Sequence, residues 1–126
     1  FVNRKPDRDI LVSIIIRKGK RKFRYSSVRQ TKTDFPVIAC AVVTGIVHGE
    51  ESWYFSVGAR PMKAALTERK WQLKPDETEE AIAGYAKEVA AEFDYGTNMR
   101  GSAEYRRHLA EVLLRRSISS ILTEDE

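Results

Sequence analysis

"VIACAVVTGIVHGEESWYFSVG", residues 37–58, holds two apolar runs joined by a polar, acidic, glycine-containing turn. The first run, 37–49, is rich in Val, Ile and Ala, and its β-branched members suit a half-buried pleated surface. The second, 52–58, alternates large and small residues, as a strand with one buried face does. Turn chemistry falls at His48, Gly49, Glu50 and Glu51. The stretch therefore predicts an antiparallel hairpin. Trp53, Tyr54 and Phe55 alternate in direction along the second strand, so at least one face of it is core.

Upstream, "ILVSIIIR" (10–17) is dense in β-branched residues and predicts a strand buried on at least one face. Gly19 marks a turn after it. "FRYSSVRQTKTDFP" (23–36) opens on an aromatic pair and becomes polar. It predicts a short strand or helical turn, then a loop ending near Pro36. Residues 10–58 thus give three or four antiparallel strands.

Downstream the period changes. "ARPMKAALTERKW" (59–71) predicts a helix with Pro61 near its N-terminus, where proline is tolerated. "KPDETEEAIAGYAKEVAAEF" (74–93) is the clearest helix. Asp76 or Thr78 can cap it, and Glu77, Glu79 and Glu80 suit the positive end of its dipole. Ile82, Tyr85, Ala86, Val89, Ala90 and Phe93 form its apolar stripe. "DYGTNMRG" (94–101) is a loop, and a last helix runs from about Ala103 to Leu122 with Ser102 as N-cap. "TEDE" (123–126) is a tail. Strands first and helices second predict an α+β fold, with about three helices packed on one face of the sheet.

The last helix, within "RGSAEYRRHLAEVLLRR" (100–116), carries many arginines. Tyr105, Leu109, Val112, Leu113, Arg116 and Ser120 are read as one side of it, with Ile121 at the end. Arg106, Arg107, His108 and Arg115 then lie off the stripe. The helix is a packing element, not a nucleic-acid reading helix. The loop before it is too long for a helix-turn-helix, and the preceding helix is strongly acidic.

One domain spanning 1–126 fits the length. Apolar residues make up 42% and charged residues 32%, which excludes a disordered chain. The net charge is +4, and "RKGKRKFR" (17–24) holds six basic residues in eight. Such a patch attracts phosphates or acidic partners, or it is a solvated turn whose lysines guard a sheet edge. Cys40 is the one cysteine, so neither an intrachain disulfide nor a cysteine-based zinc site can form, and a cytoplasmic, reducing setting fits. No run approaches a membrane helix, and the charged start shows no signal peptide. A chain starting at Phe1 reads as a fragment of something longer.

No GxGxxG, P-loop, GxSxG or HExxH is present. His48 and His108 stand far apart in sequence, which makes a weak metal case. Cys40 lies mid-strand as an inert buried thiol. Glu50 and Glu51 point apart in an extended chain and form no acid–base pair. Trp71 closes a core edge or covers a groove. The residues alone give a soluble α+β domain with no catalytic residue and no metal site.

"RGSAEYRRHLAEVLLRRSI" closely resembles the closing helix of the flavoprotein subunits of molybdenum hydroxylases, a group that includes xanthine dehydrogenases and carbon monoxide dehydrogenases. "PDRDILVSIII" looks like that domain's first strand. "VRQTKTDFPVIACAVV" looks like its arginine-containing loop entering a D-F-P-V strand, and "WYFSVGARPMKA" like its strand ending in a G-A-x-P turn. The resemblance runs in order through nearly the whole chain and concerns the C-terminal domain alone. It implies a cap that helps position and shield FAD in a xanthine dehydrogenase-like oxidoreductase. There, substrate is hydroxylated at a molybdopterin centre in another subunit, and electrons pass through iron–sulfur clusters to FAD and on to NAD or another acceptor. It further implies partners: the upstream FAD-binding region of the same chain, and the molybdopterin and iron–sulfur subunits.

The family's glycine-rich FAD motifs have no counterpart here, so these residues alone are expected neither to hold FAD nor to be active. The flavin-side residues carried over are Tyr25, Arg29, Thr33 and Asp34. Where the family often has a lysine four residues before the loop arginine, this chain has Tyr25. Arg29 and Asp34 tying down their own loop is the competing role. Arg100, Ser102, Tyr105 and Arg106 are expected to cap and seat the last helix. Two other expectations stand beside this one. One is a non-catalytic binding module using residues 17–24; the other is self-association through an exposed apolar interface.

Overall fold

The computed structural model describes residues 10, 12–16 and 18–124. Four strands form one antiparallel sheet in sequence order: β1 (Arg21–Arg29), β2 (Pro36–Val47), β3 (Glu50–Gly58) and β4 (Ala65–Arg69). Two helices follow, α1 (Glu79–Ala90) and α2 (Ala103–Leu122). The α+β class and the helix layer on one sheet face are as expected.

The 37–58 hairpin forms in register, with Val42 opposite Phe55 and Val47 opposite Glu50. His48 (φ 51°) and Gly49 (φ 84°) make the two-residue turn. Positive φ at both central positions matches the twist of the flanking strands. Ile38, Cys40, Val42, Trp53, Phe55 and Val57 all point inward and are at most 1% exposed. α2 lies over β1 and β2. α1 packs beside it, and Glu88 on α1 and Glu92 just beyond its end pair with Arg69 on β4. Trp71 stands between Phe55 and Tyr85, with centroids 5.6 and 4.9 Å away, and closes the core edge.

Three expectations change. The predicted strand at 10–17 does not appear: residues 10 and 12–16 belong to no ladder and are exposed, while 11 and 17 lie outside the described residues. A β-branched run favours extension, but a strand is held by a partner surface. The sheet starts instead at Arg21, in the basic run. There Lys22 and Arg24 point inward and meet the C-terminal end of α2. Lys22 Nζ donates to the Glu124 carbonyl (2.7 Å), and Arg24 Nε donates to Ser120 Oγ (2.7 Å). Cations at that end also complement the negative end of the helix dipole.

The helix predicted over 59–71 is a turn followed by β4. Ala65, Leu66, Glu68 and Arg69 are ordinary helix formers, but tertiary pairing overrides propensity. β3 offers a free edge, and Ala65 pairs with Val57 and Arg69 with Trp53. Thr67 Oγ1 donates to Glu92 Oε2 in the turn after α1 (2.7 Å), which fixes which face points in. The helix count is therefore two among the described residues, not three.

α2 is also rotated from its predicted face. Its buried residues are Arg106, Ala110, Leu113, Leu114, Ser117, Ile118 and Ile121, while Tyr105 is 47% exposed. The stripe begins on an arginine, so apolar spacing alone set its phase wrongly. α1 keeps its predicted face and is capped by Thr78, whose hydroxyl accepts from Ala81 N (3.2 Å).

Candidate functional site at the Arg29 end of the sheet

β1 ends in an irregularity. Val28 pairs with Ile38, but Arg29 pairs with Pro36, so Val37 is skipped. Such a bulge bends a strand and re-aims the next side chain. The chain then turns through Gln30–Phe35 into β2. Asp34 N donates to Thr31 O (3.2 Å). Arg29 NH1 donates to the Asp34 carbonyl (2.7 Å). Asp34 Oδ1 accepts from Phe35 N (2.7 Å) and from Arg100 NH2 (3.2 Å), 66 residues away in sequence. The Arg100 hydrogen bond, then the Phe35 amide, hold the Asp34 carboxyl below the usual carboxylate range. Arg100 Cζ also lies 5.5 Å from the Phe35 ring centroid, a cation–π contact.

Arg100 is placed by a second loop. Asn98 and Gly101 exchange two backbone hydrogen bonds of 3.1 Å. Asn98 Oδ1 accepts from Arg100 N (2.9 Å). The same oxygen accepts from Arg106 NH2 on α2. Arg106 is 1% exposed. Its Nε donates to Val37 O and its NH1 to Gly96 O, each at 2.8 Å; NH1 also donates to Gly101 O. One guanidinium thus ties β2, the 96–101 loop and the helix start together. Its fork of fixed donors suits several carbonyls at once. Arg60 does similar work beside it, donating to the carbonyls of Asp94 (2.5 Å) and Lys63 (3.1 Å).

Of the four carried-over residues, the structure brings Arg29 and Asp34 together. Thr33 is exposed in the same turn. Tyr25 stands apart, roughly 13 Å back along the strand at about 3.3 Å per residue. It is 59% exposed on the outer sheet face, with Phe23 (65%) beside it on β1 and Leu66 (68%) across on β4. Ala41 and Ser56 lie between Tyr25 and Leu66, and Val43 and Tyr54 lie in the next row, between Phe23 and Glu68. Sequence reading missed Arg100 as the partner of Asp34, and Phe35 as an exposed aromatic beneath it. Only opposite charge in two distant loops hinted at the pair. Arg106 was expected to seat the last helix; it does so from inside the core.

Elsewhere the chemistry is sparse. An open cleft of about 950 Å³ lies at the opposite end of β1, lined by Lys20, Arg21, Thr44, Trp53 and Ile121 among others. Its one acidic side chain, Glu51, accepts from the Trp53 indole (3.0 Å), so the cleft holds no free acid–base pair. Glu50 pairs instead with Lys70 (2.6 Å). Cys40 is buried, and burial pushes its thiol up to about 12. Among the described residues no group of three His, Cys, Asp or Glu converges as a metal site, and no helix is long and apolar enough to cross a membrane.

The pattern of the CO dehydrogenase flavoprotein C-terminal domain matches residues 22–121. The chain belongs to that family. Similar solved structures include quinoline 2-oxidoreductase from Pseudomonas putida 86, at 15% identity and TM-score 0.62, covering 82% of this chain and 38% of that one. Carbon monoxide dehydrogenase from Hydrogenophaga pseudoflava, in a form lacking the Mo-pyranopterin moiety, gives 18% identity and TM-score 0.61, covering 80% and 36%. A cyanide-inactivated Cu,Mo-CO dehydrogenase gives 19% identity and TM-score 0.60, covering 81% and 37%. The chain spans under two-fifths of the length of these chains. Among curated proteins, none matches. At these identities the structures share the fold of this flavoprotein C-terminal domain, and the family supplies its description.

Proposed function

We propose that residues 1–126 form the C-terminal domain of a longer FAD-binding subunit in a molybdenum hydroxylase of the xanthine dehydrogenase kind. The observation that carries this reading is the continuity of two surfaces. The outer sheet face, with Phe23, Tyr25 and Leu66, is apolar and uncovered among the described residues. It runs into the polar end built by Arg29 and Asp34. An amphipathic surface of this kind suits a flat heteroaromatic ring with polar edges, held by the rest of the subunit.

The donor set fits one side of a flavin and no more than that. Arg29 and Thr33 can donate to ring carbonyls, and Asp34 can accept from a ring N–H. Nothing in the chain resembles the glycine-rich cradle a pyrophosphate needs. When bound, FAD supplies the redox chemistry, taking electrons from iron–sulfur clusters and passing them to NAD or another acceptor. This domain's part is to orient the ring and keep water off one side of it. Its partners are the FAD-holding region of the same subunit and the subunits bearing molybdopterin and iron–sulfur clusters. A cytoplasmic setting agrees with the single buried thiol. The basic 17–24 segment gains little support as a binding patch, since Lys22 and Arg24 are engaged with the end of α2.

The test is the visible absorption of two purified proteins given excess FAD: residues 1–126, and the gene product extended to its natural N-terminus. A yellow long form beside a colourless short one is the expected result. A long form that stays colourless overturns the reading.

A further inference from the structure

We propose that Arg100 is the positioning residue for Asp34, fixing the 30–35 loop so that Arg29 and Asp34 meet a ligand in one orientation. The proposal rests on the flavin reading above for the identity of that ligand.

The geometry is a relay of four parts. Arg106, anchored in the core, holds Asn98 and Gly101. Asn98 Oδ1, already holding Arg106, also receives the backbone N–H of Arg100. Arg100 NH2 then donates to Asp34 Oδ1, and its guanidinium lies over Phe35. From the other side, Gln30 Nε2 donates to the Arg100 carbonyl (3.4 Å). The 30–35 loop has few other anchors, and Gln30, Thr31, Lys32, Thr33 and Phe35 are all exposed. A loop so placed owes its conformation to the contacts at its ends.

A second observation separates this role from plain stabilisation. Arg100 Nε is buried with no hydrogen-bond partner among the described residues. A buried, unpaired donor works against stability, so stability alone does not explain keeping it. The side chain is held by the Asn98 turn and by the Phe35 ring in a pose that serves Asp34. Arg29 is placed in the same act, because its NH1 donates to the carbonyl of Asp34, the residue whose carboxylate Arg100 holds. The charged groups facing Asp34 are these two arginines, and both favour its ionised form.

The experiment has two readings. The first follows the Asp34 carboxyl carbon by NMR titration in the 126-residue chain, for the natural sequence, Arg100→Gln and Arg100→Lys. Circular dichroism shows whether each variant folds. Arg100→Gln is expected to raise the Asp34 pKa toward the ordinary carboxylate range, with Arg100→Lys recovering part of the drop. An unchanged Asp34 titration in folded Arg100→Gln overturns the proposal, whatever the flavin does.

The second reading uses the FAD-loaded long chain and measures the visible flavin spectrum and FAD affinity. Arg100→Gln and Asp34→Asn are each expected to shift the spectrum and weaken FAD by about tenfold, the scale of one charged hydrogen bond. The double variant is expected to lose little more than either single one. A flavin that responds to Asp34→Asn but not to Arg100→Gln overturns the proposal. If neither variant moves the flavin while the Asp34 titration shifts, Arg100 still positions Asp34, and the flavin reading of this loop is what fails.

Discussion

Arg106 begins the buried face of α2 and is 1% exposed. Its four acceptors are Val37 O, Gly96 O, Gly101 O and Asn98 Oδ1. Arg106→Met would take a donor from each, leaving Gly101 O with Asn98 N and Asn98 Oδ1 with Arg100 N, and Arg106→Lys would restore only some. We expect a loss of about 3 kcal/mol or more for Met and less for Lys, read from urea denaturation midpoints. A loss under about 1 kcal/mol for Met would mean that water replaces the guanidinium.

Backbone strain gives a prediction of the opposite sign. Ala59 sits at φ 57°, a region that glycine enters freely and alanine enters at a cost of roughly 1 kcal/mol. Ala59→Gly should raise stability by a fraction of that, since glycine also gains freedom in the unfolded chain. A lowered melting temperature would show that the alanine methyl packs usefully there. Cys40 offers a check on the core: its thiol, raised to about 12 by burial, should resist thiol reagents at pH 8 until the protein unfolds.

At the scale of elements, what the sequence made legible follows how local the deciding contacts are. The 37–58 hairpin and α1 were readable because their signals are local: alternation, a His-Gly turn, a Thr cap and one unbroken stripe. β4 was not, because Ala65–Arg69 becomes a strand only when β3 offers an edge and Glu92 a partner for Thr67. The segment at 10–17 failed in the other direction. Its composition asks for a sheet, and the described residues of this chain give it none. The candidate site divides the same way. Arg29 and Asp34 belong to one loop, and the sequence names both; Arg100 comes from a second loop, and its pairing with Asp34 shows only in the fold.

The Arg100–Asp34 bridge, which joins the 30–35 loop to the loop before α2, also carries a pH dependence. Asp34 is held below its ordinary range, so its contribution is present above the unfolded pKa and is lost as pH falls through the folded one. Glu50, lowered by Lys70, behaves alike at the β3–β4 edge. Acid should therefore loosen the 30–35 loop before the core. Amide exchange at Gln30–Phe35 should rise below the usual carboxylate range in the natural chain, and should already be high at neutral pH in Asp34→Asn. Equal exchange in the two proteins at neutral pH would show that the carboxylate does not hold the loop.

For the whole molecule, the two faces of one sheet have opposite fates. The inner face is sealed by α1 and α2, while the outer face keeps Phe23, Tyr25 and Leu66 more than half exposed. Water-facing strands ordinarily carry polar residues on that side. An apolar outer face is a surface waiting for cover, and in the proposed subunit the FAD-holding region supplies it. The 126-residue chain, lacking that cover, should pair with itself through the same surface as concentration rises. Sedimentation velocity should show a concentration-dependent dimer. Phe23→Lys with Leu66→Glu should abolish it while changing stability by under about 0.5 kcal/mol each, since neither side chain touches the core. In the long chain the same two changes should instead weaken docking of this domain and lower FAD retention, because the buried surface is now intramolecular. If the pair abolishes the dimer but leaves FAD retention in the long chain untouched, the face serves self-association alone, and the FAD-holding region must dock elsewhere.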